Sequence, residues 1–573
     1  MIDKKILLNI FLILGCFVGG FYLLHIFSSC QLNPAIDTGR EFYIPYRMLN
    51  GEVLYKDIFN IYGALAYQIN LFAYKLFGAT VNALRYFGVI NALLITAAIT
   101  FICAEFDYIN DKKAGILPFL PVFIGVFCFG TFNYVVPYSF AMTYGLCFFL
   151  ISLLFFIKFS KTDIPKFAYL ACLFAGGTIA CKYEFFTYFL FLLVYVLLCR
   201  NISTKNVIIS IFMLCVIPLF SFGTLFMQGM TIDDLSKTAD IMKIMANTDA
   251  IKYLYTNFTG TYFNLKVFGI CLYKTVMLLG VLSVIFLTQK VVKSDKFLTL
   301  MVFAFSVLGI FYIGTTGFSL LAIINALIFV IYLKKIFQNK PLFVYMSSTI
   351  LLSLKTFFAV NTDVYGTYTL PFIVISIVLF LYQADYSKNE ELKINLRKTA
   401  FLAVVGLIFL CLTKTVTILI NKNTTINIGN YVGTNTFKNF QRNIVTYPHI
   451  ANPINQAIEY INSNTELTDR IVVLPETQFL NFVTKRPADN LYDSLTPMYF
   501  ETFGEENIID HFRETKPEYF ILNNRNTADY GKRYICEDYG KEFCSFVKEN
   551  YKKVETFGEK QYILQVFKRK DLL

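Results

Sequence analysis

Apolar runs long enough to cross about 30 Å of hydrocarbon recur through the first 420 residues, with short polar stretches between them. About thirteen such runs can be placed: 6–27, 82–103, 115–131, 139–157, 167–181, 185–199, 207–227, 267–288, 297–313, 317–333, 342–358, 368–382 and 399–420. With the N-terminus inside, the inner connections contain "DKK" at 111–113, "KFSKTDIPK" at 158–166, "RNISTK" at 200–205, "QKVVKSDK" at 289–296, "KKIFQNK" at 334–340 and "SKNEELKINLRK" at 387–398, all basic. The short outer connections "NYVVPYS" at 133–139 and "GTTG" at 314–317 carry no charge. That alternation follows the rule that cytoplasmic loops collect Lys and Arg. The first run contains "LILGC" at 12–16, but bulky Leu14 stands where a cleavage site wants a small residue, so an uncleaved anchor is expected.

After residue 421 the pattern changes. "RIVVLP" at 470–475, "EYFILN" at 518–523 and "QYILQVF" at 561–567 predict strands. Amphipathic helices are predicted near 453–463, 504–515 and 538–551. The expected architecture is a polytopic α-helical membrane protein: residues 1–421 form a transmembrane part with a first outer loop at 28–81. Residues 422–573 form a soluble α/β domain, which an odd number of spans places outside the cytoplasm.

Composition agrees with this division. Charged residues are 16% of the chain, against about 25% in soluble proteins. From Lys422 onward there are 19 basic and 20 acidic residues, so the net charge of +12 belongs to the membrane part. No basic helix or stripe points to nucleic acid. Trp is absent, which leaves Tyr to form any aromatic belt. Cys536 and Cys544, if helical, stand about 12 Å apart along the axis, too far to bridge. The three histidines, His25, His449 and His511, show no ligand spacing.

The first outer loop is far longer than an ordinary connection. It opens with "AIDTGREFYIPYRMLNGE". A helix over 39–50 places Asp37, Arg40, Glu41 and Arg47 on one stripe, and turns Phe42, Tyr46 and Leu49 toward the membrane surface. A second, apolar helix over 64–77 ends at Gly78. A carboxylate beside guanidinium groups at a membrane surface suits a reaction on a phosphate-bearing lipid. The carboxylate takes a proton from an acceptor hydroxyl, and the cations hold the phosphate leaving group. The plainer alternative is local: Thr38 and Glu41 form a capping box, and Asp37 favours the positive end of the helix dipole.

The order of these residues, with "YRMLNGEVLYKDIFNIYGAL" and "LFAYKLFG" following, resembles bacterial polytopic glycosyltransferases of the GT-C fold, the family 39 relatives of aminoarabinose transferase and protein mannosyltransferases. "YVVPYSFAMTYGL" at 134–146, "AGGTIACKYEFF" at 175–186, "LKTFFAVNTDVYGTYTLP" at 354–371 and "PEYFILNNRNTADYG" at 517–531 extend the resemblance along the chain. It implies a polyprenyl-phosphate sugar donor, a lipid, glycan or protein acceptor, inversion at the anomeric carbon, and Asp37 as general base. Many relatives carry a second acid between spans three and four. "NYVVPYS" has none, so either that acid is dispensable here or Glu41 or Glu184 replaces it, and any divalent metal is left open.

Lys182 and Glu184 stand at the predicted outer end of spans five and six, and Lys355 near that of span eleven. Phosphate contact competes there with ion pairing or snorkelling. Tyr62, Tyr138 and Tyr365 are candidate donor-site linings, with belt positions the alternative. Lys56 and Asp57 suggest a loop ion pair. Residues 228–265 predict an amphipathic helix over the site's mouth. Two other functions compete: a transporter or flippase of a polyprenyl-linked intermediate, for which inverted repeats are missing, and a non-catalytic envelope scaffold.

Overall fold

A computed structural model describes residues 32–106, 119–127, 134–199, 201–257, 319–354, 368–384, 386–422, 424–426 and 444–573, with scattered positions at 262–284 and at 357. The predicted runs 6–27 and 297–313, and most of 267–288, lie outside the described residues, as do Lys355 and Tyr365.

The membrane part contains α1 (Thr38–Leu49), α2 (Ala64–Phe77), α3 (Val81–Glu105), α4 (Phe119–Val126), α5 (Phe140–Thr162), α6 (Pro165–Cys181), α7 (Phe186–Leu198), α8 (Thr204–Met227), α9 (Ile232–Ala246), α10 (Asp249–Asn257), α11 (Ser319–Ile331), α12 (Leu333–Gln338), α13 (Lys340–Ser353), α14 (Leu370–Gln383) and α15 (Glu390–Asn421). Four of the described helices, α3, α5, α8 and a segment within α15, are long and apolar enough to cross a membrane. Helix α5 is the buried centre, whereas α8 leaves Phe212, Leu219 and Phe220 exposed. A run of outward apolar side chains needs hydrocarbon around it. At the end opposite the site, Glu105 ends α3 and pairs with Lys158 at 3.2 Å and Lys161 at 3.5 Å of α5.

The rest of the chain forms β1 (Thr424–Ile426), β2 (Ile444–Thr446), α16 (Pro448–Asn464), β3 (Ile471–Leu474), α17 (Phe479–Thr484), α18 (Pro497–Phe503), α19 (Glu505–Thr515), β4 (Tyr519–Asn523), α20 (Lys541–Asn550), β5 (Tyr551–Glu559) and β6 (Tyr562–Arg569). Strands β1 and β2 pair antiparallel. The main sheet has the order β3-β4-β6-β5, with β3 and β4 parallel and the other pairs antiparallel. β3 and β4 are buried along their whole length, as a parallel pair covered on both faces must be. All three predicted strands are present. β5 was not predicted: its mixed, mostly exposed sequence "YKKVETFGE" is that of an edge strand, whose outer face needs no apolar side chains.

The predicted helix over 538–551 starts at Lys541 instead, and this overturns the separation expected of its cysteines. Ile535 and Tyr539 form a bridge across a turn, with Cys536 at φ +72°. The turn brings Cys536 to Cys544 at a Cα separation of 5.5 Å, and the two form a disulfide. A bridge between residues eight apart in sequence removes about 2.5 kcal/mol of chain entropy from the unfolded state. Cys536→Ser is therefore expected to lower the thermal midpoint measured on the 530–550 region, and reductant is expected to have no further effect on that variant. His511 pairs with Asp489 at 2.8 Å. Burial alone would raise the Asp489 carboxyl, but His511 and the N–H groups of Tyr492 and Leu491 hold it below its usual range. This pair ties α19 to the 485–495 segment.

Helix α1 lies between the two parts. Its Phe42 is buried against Phe479 and Phe482 of α17, and Tyr46 packs edge-on to Phe482. The predicted lipid-facing stripe of α1 is therefore a protein contact, and Leu49 alone of the three is exposed. The same apolar cluster runs without a break from the membrane helices into Ile454, Phe479 and Ile521. An apolar stripe reads alike whether it meets lipid or protein.

Candidate active site

Asp37 sits at the start of α1 without a capping bond from its side chain. Its side chain is 29% exposed, so it can be reached. What fixes it is its surroundings. The Thr477 hydroxyl donates to Ala35 O at 3.0 Å. Gly39 meets the backbone of α17 so closely that an added Cβ would stand 2.5 Å from Phe479 N. A backbone atom cannot swing aside, so Gly39→Ala is expected to cost about 1–3 kcal/mol and to tilt Asp37. The check is a thermal midpoint and an activity assay on the same preparation.

Arg40 lies one turn on. Its Nη2 is 3.5 Å from Asp37 Oδ1 and 3.7 Å from Glu41 Oε1, and its guanidinium stacks 5.2 Å from the centroid of Tyr62. Arg40 Nε and Nη2 are buried without a hydrogen-bond partner. Donors in that state are satisfied in most proteins, so the pair of nitrogens is available to an anion.

Lys182 arrives from the end of α6. The Gly63 N–H donates to Cys181 O at 3.1 Å and pins the 60–63 segment there. The Cβ of any larger residue at Gly63 would lie 2.2 Å from Ala180 O. This close approach brings Lys182 Nζ to 5.4 Å from the Tyr62 ring centroid and 5.6 Å from that of Tyr138. Lys182 is 4% exposed and pairs with Glu184 at 3.4 Å. Its Nζ reaches the Tyr138 hydroxyl at 3.5 Å. Burial first, then the Glu184 carboxylate, push the Tyr138 phenol up. Arg40 and Lys182 thus share one ring, Tyr62, with Asp37 beside them.

Glu41 is 0% exposed, and it does not close the predicted capping box. It accepts from the Phe140 N–H at 2.9 Å and from the Tyr67 hydroxyl at 3.0 Å. Phe140 is the first residue of α5, so this carboxylate caps a different helix, where the dipole favours an anion. Burial pushes its carboxyl up, against the Arg40 charge and the Phe140 N–H.

Arg47 does not join the others. It is 3% exposed and bonded to Glu52 (2.5 and 2.8 Å), Asp493 (3.2 Å) and the carbonyls of Asp57 and Asn490. Those partners use its fork, so it ties the loop to the 490–493 segment. Asp57 accepts from Val53 N at 2.8 Å, a turn rather than the expected pair with Lys56. Tyr138 packs on Tyr368 at 5.6 Å.

The sequence reading missed what the C-terminal part brings. Burial pushes the phenol of Tyr499 in α18 up, against the pull of the Arg40 charge, and Phe59 packs against it at 6.3 Å. Glu476 and Arg525 pair at the carboxyl ends of β3 and β4. Their signal was present in "NNRNTADYG": polar residues directly after a wholly apolar strand. The described residues of 228–265 include two helices, α9 and α10. Glu501 of α18 accepts from Ala250 N at 2.9 Å and pairs with Lys532 at 3.0 Å, fastening α10 to the C-terminal part. Among the described residues, no group of three His, Cys, Asp or Glu side chains could hold a metal ion.

No family model matches the chain, and no curated protein matches it. Among solved structures it is similar to two over nearly its whole length. The structures are those of ArnT from Cupriavidus metallidurans. The form bound to undecaprenyl phosphate is 10% identical, with 96% of this chain and 97% of that one covered and a TM-score of 0.47. The apo form is likewise 10% identical over the same shares, with a TM-score of 0.45. At those values the chemistry rests on the site's own residues.

Proposed function

We propose that this protein is an integral membrane glycosyltransferase that moves a sugar from a polyprenyl-phosphate donor to an acceptor hydroxyl on the outer face of the membrane. The observation that carries the reading is the meeting of an accessible carboxylate, Asp37, with two otherwise enclosed cations, Arg40 and Lys182, around one tyrosine ring. Asp37 takes the proton of the acceptor hydroxyl. The oxygen attacks the anomeric carbon, the bond to the phosphate oxygen breaks with inversion, and polyprenyl phosphate leaves with the electron pair. Arg40 and Lys182 neutralise that phosphate, with Tyr138 bonded to Lys182. Glu41 positions α1 and takes no proton from substrate. Arg47 and Glu184 set the placement of the loop and of Lys182. The basic inner connections support an outer location for α1 and for the C-terminal part.

The test uses the full chain in vesicles carrying radiolabelled polyprenyl-phosphate hexose. Release of sugar to water, or its transfer to an envelope fraction, is expected. Movement of intact donor between leaflets with no sugar released would instead make the protein a transporter.

A further inference from the structure

Like charges repel, and enclosure away from water strengthens the repulsion. Arg40 and Lys182 are both largely enclosed, with side chains 15% and 5% exposed, yet they meet at one place. Their carboxylate partners do not account for the meeting. Asp37 and Glu41 flank Arg40 on its own helix, and Glu184 pairs with Lys182 two residues away. Each carboxylate therefore holds a cation to its own segment. What the two cations have in common is Tyr62. Its ring centroid lies 5.2 Å from the Arg40 guanidinium and 5.4 Å from Lys182 Nζ. At such distances the negative face of an aromatic ring attracts a cation. Among the described residues no other ring contacts both; Tyr138 faces Lys182 at 5.6 Å.

The ring stands on a fixed base. The Tyr62 carbonyl accepts from the Tyr55 hydroxyl at 2.5 Å and from Asn60 Nδ2 at 2.6 Å. The Tyr62 N–H donates to Asn60 Oδ1 at 3.3 Å. Tyr55 is itself buried, at φ +69°, and stacks on Phe222 of α8 at 6.0 Å. The base of the ring is thus tied to a membrane helix. The next residue, Gly63, donates to Cys181 O, and Cys181 directly precedes Lys182. One backbone contact therefore seats both the ring and the lysine that faces it.

We propose that Tyr62 is a positioning residue for the lipid phosphate: its aromatic face holds Arg40 and Lys182 together before the lipid arrives, so that one phosphate meets both cations. The inference rests on the part of the transferase reading that gives the donor phosphate to these two side chains. Without the ring, Arg40 relaxes toward Asp37 and Glu41, and Lys182 toward Glu184. A phosphate must then draw them back against their mutual repulsion, and that reorganisation weakens binding. The ring makes and breaks no bond in the reaction. Because the face acts and not the hydroxyl, Phe can stand in this place and Leu cannot.

The test measures binding of polyprenyl phosphate and of the uncharged polyprenol to the full chain in detergent micelles. Wild type is expected to bind the phosphate form more tightly. Tyr62→Leu is expected to weaken binding of that form about tenfold and to leave polyprenol within about twofold. Tyr62→Phe is expected to stay within about twofold of wild type for both. The losses in Tyr62→Leu and Lys182→Met are expected to combine to less than their product in the double variant, because the ring acts through the cation. Equal losses for the two lipids in Tyr62→Leu would make the residue merely structural. A Phe variant as weak as Leu, or losses that multiply in full, would overturn the role of the ring, and so would a wild type that does not distinguish the two lipids. Sugar release by the wild type in vesicles bears on the transferase reading separately. Its absence beside intact, ring-dependent phosphate binding removes that reading and leaves the ring as part of a lipid-phosphate site.

Discussion

The Asp37→Asn protein is expected to fold, insert and bind donor, and to transfer sugar about a hundred to ten thousand times more slowly, the range a positioned general base supplies. The amide has nearly the shape of the carboxylate. The contacts that hold this turn are made by its neighbours, Ala35 O with Thr477 and Gly39 against Phe479, so the substitution leaves them intact. What is lost is the acceptor of the proton. The decisive comparison is donor binding against turnover. Binding within about twofold of wild type, with turnover collapsed, places the effect in the chemical step, because only interactions stronger in the transition state change kcat. Surviving turnover would remove Asp37 from the mechanism.

Glu41 is expected to behave in a different way, although it is four residues from Asp37 and carries the same group. Glu41→Ala removes a fully buried acceptor from the Phe140 N–H and the Tyr67 hydroxyl and takes away one carboxylate beside Arg40. Breaking a buried pair by deleting one partner costs about 3–5 kcal/mol. Glu41→Gln keeps an oxygen for the Phe140 N–H and turns its NH2 group to the Tyr67 hydroxyl, which can accept instead of donate, and it also sheds a charge that burial opposes. Most of the stability, and most of the transfer activity, is therefore expected to return in Gln but not in Ala. The measurement is the thermal midpoint and turnover of both variants. Turnover lost in Gln at full stability would make Glu41 a participant in proton transfer and overturn its positioning role.

The long apolar helices among the described residues, the strands of the C-terminal part and the loop bearing Asp37 could be read from the chain, because each depends on a local period or a local run. Hydrocarbon demands uninterrupted apolar stretches, and a strand buried on both faces demands the same over a shorter length. Asp37, Arg40 and Lys182 could be nominated for a similar reason: charge placed next to an apolar run is costly, so it stands out. Their roles could not be separated at that level. Asp37, Glu41 and Arg47 share a helix stripe in any local description, and the partners that distinguish them come from far along the chain. Phe140 is 99 residues from Glu41, and Asp493 is 446 from Arg47. The Cys536–Cys544 bridge was missed because a helical period was extended through a turn that Cys536 and Gly540 open with positive φ.

By itself, then, the sequence determined that this is a membrane protein with a long charged loop and an α/β part, since hydrophobic period and charge distribution act over a few residues at a time. Tertiary structure alone decided which charges meet. It gave Glu41 to the start of α5, Arg47 to Asp493, Lys182 to the ring of Tyr62, and the ends of β3 and β4 to the Asp37 turn. Those pairings depend on long-range packing, where a glycine that lets two backbones touch matters as much as any charged side chain, and no local pattern carries that information.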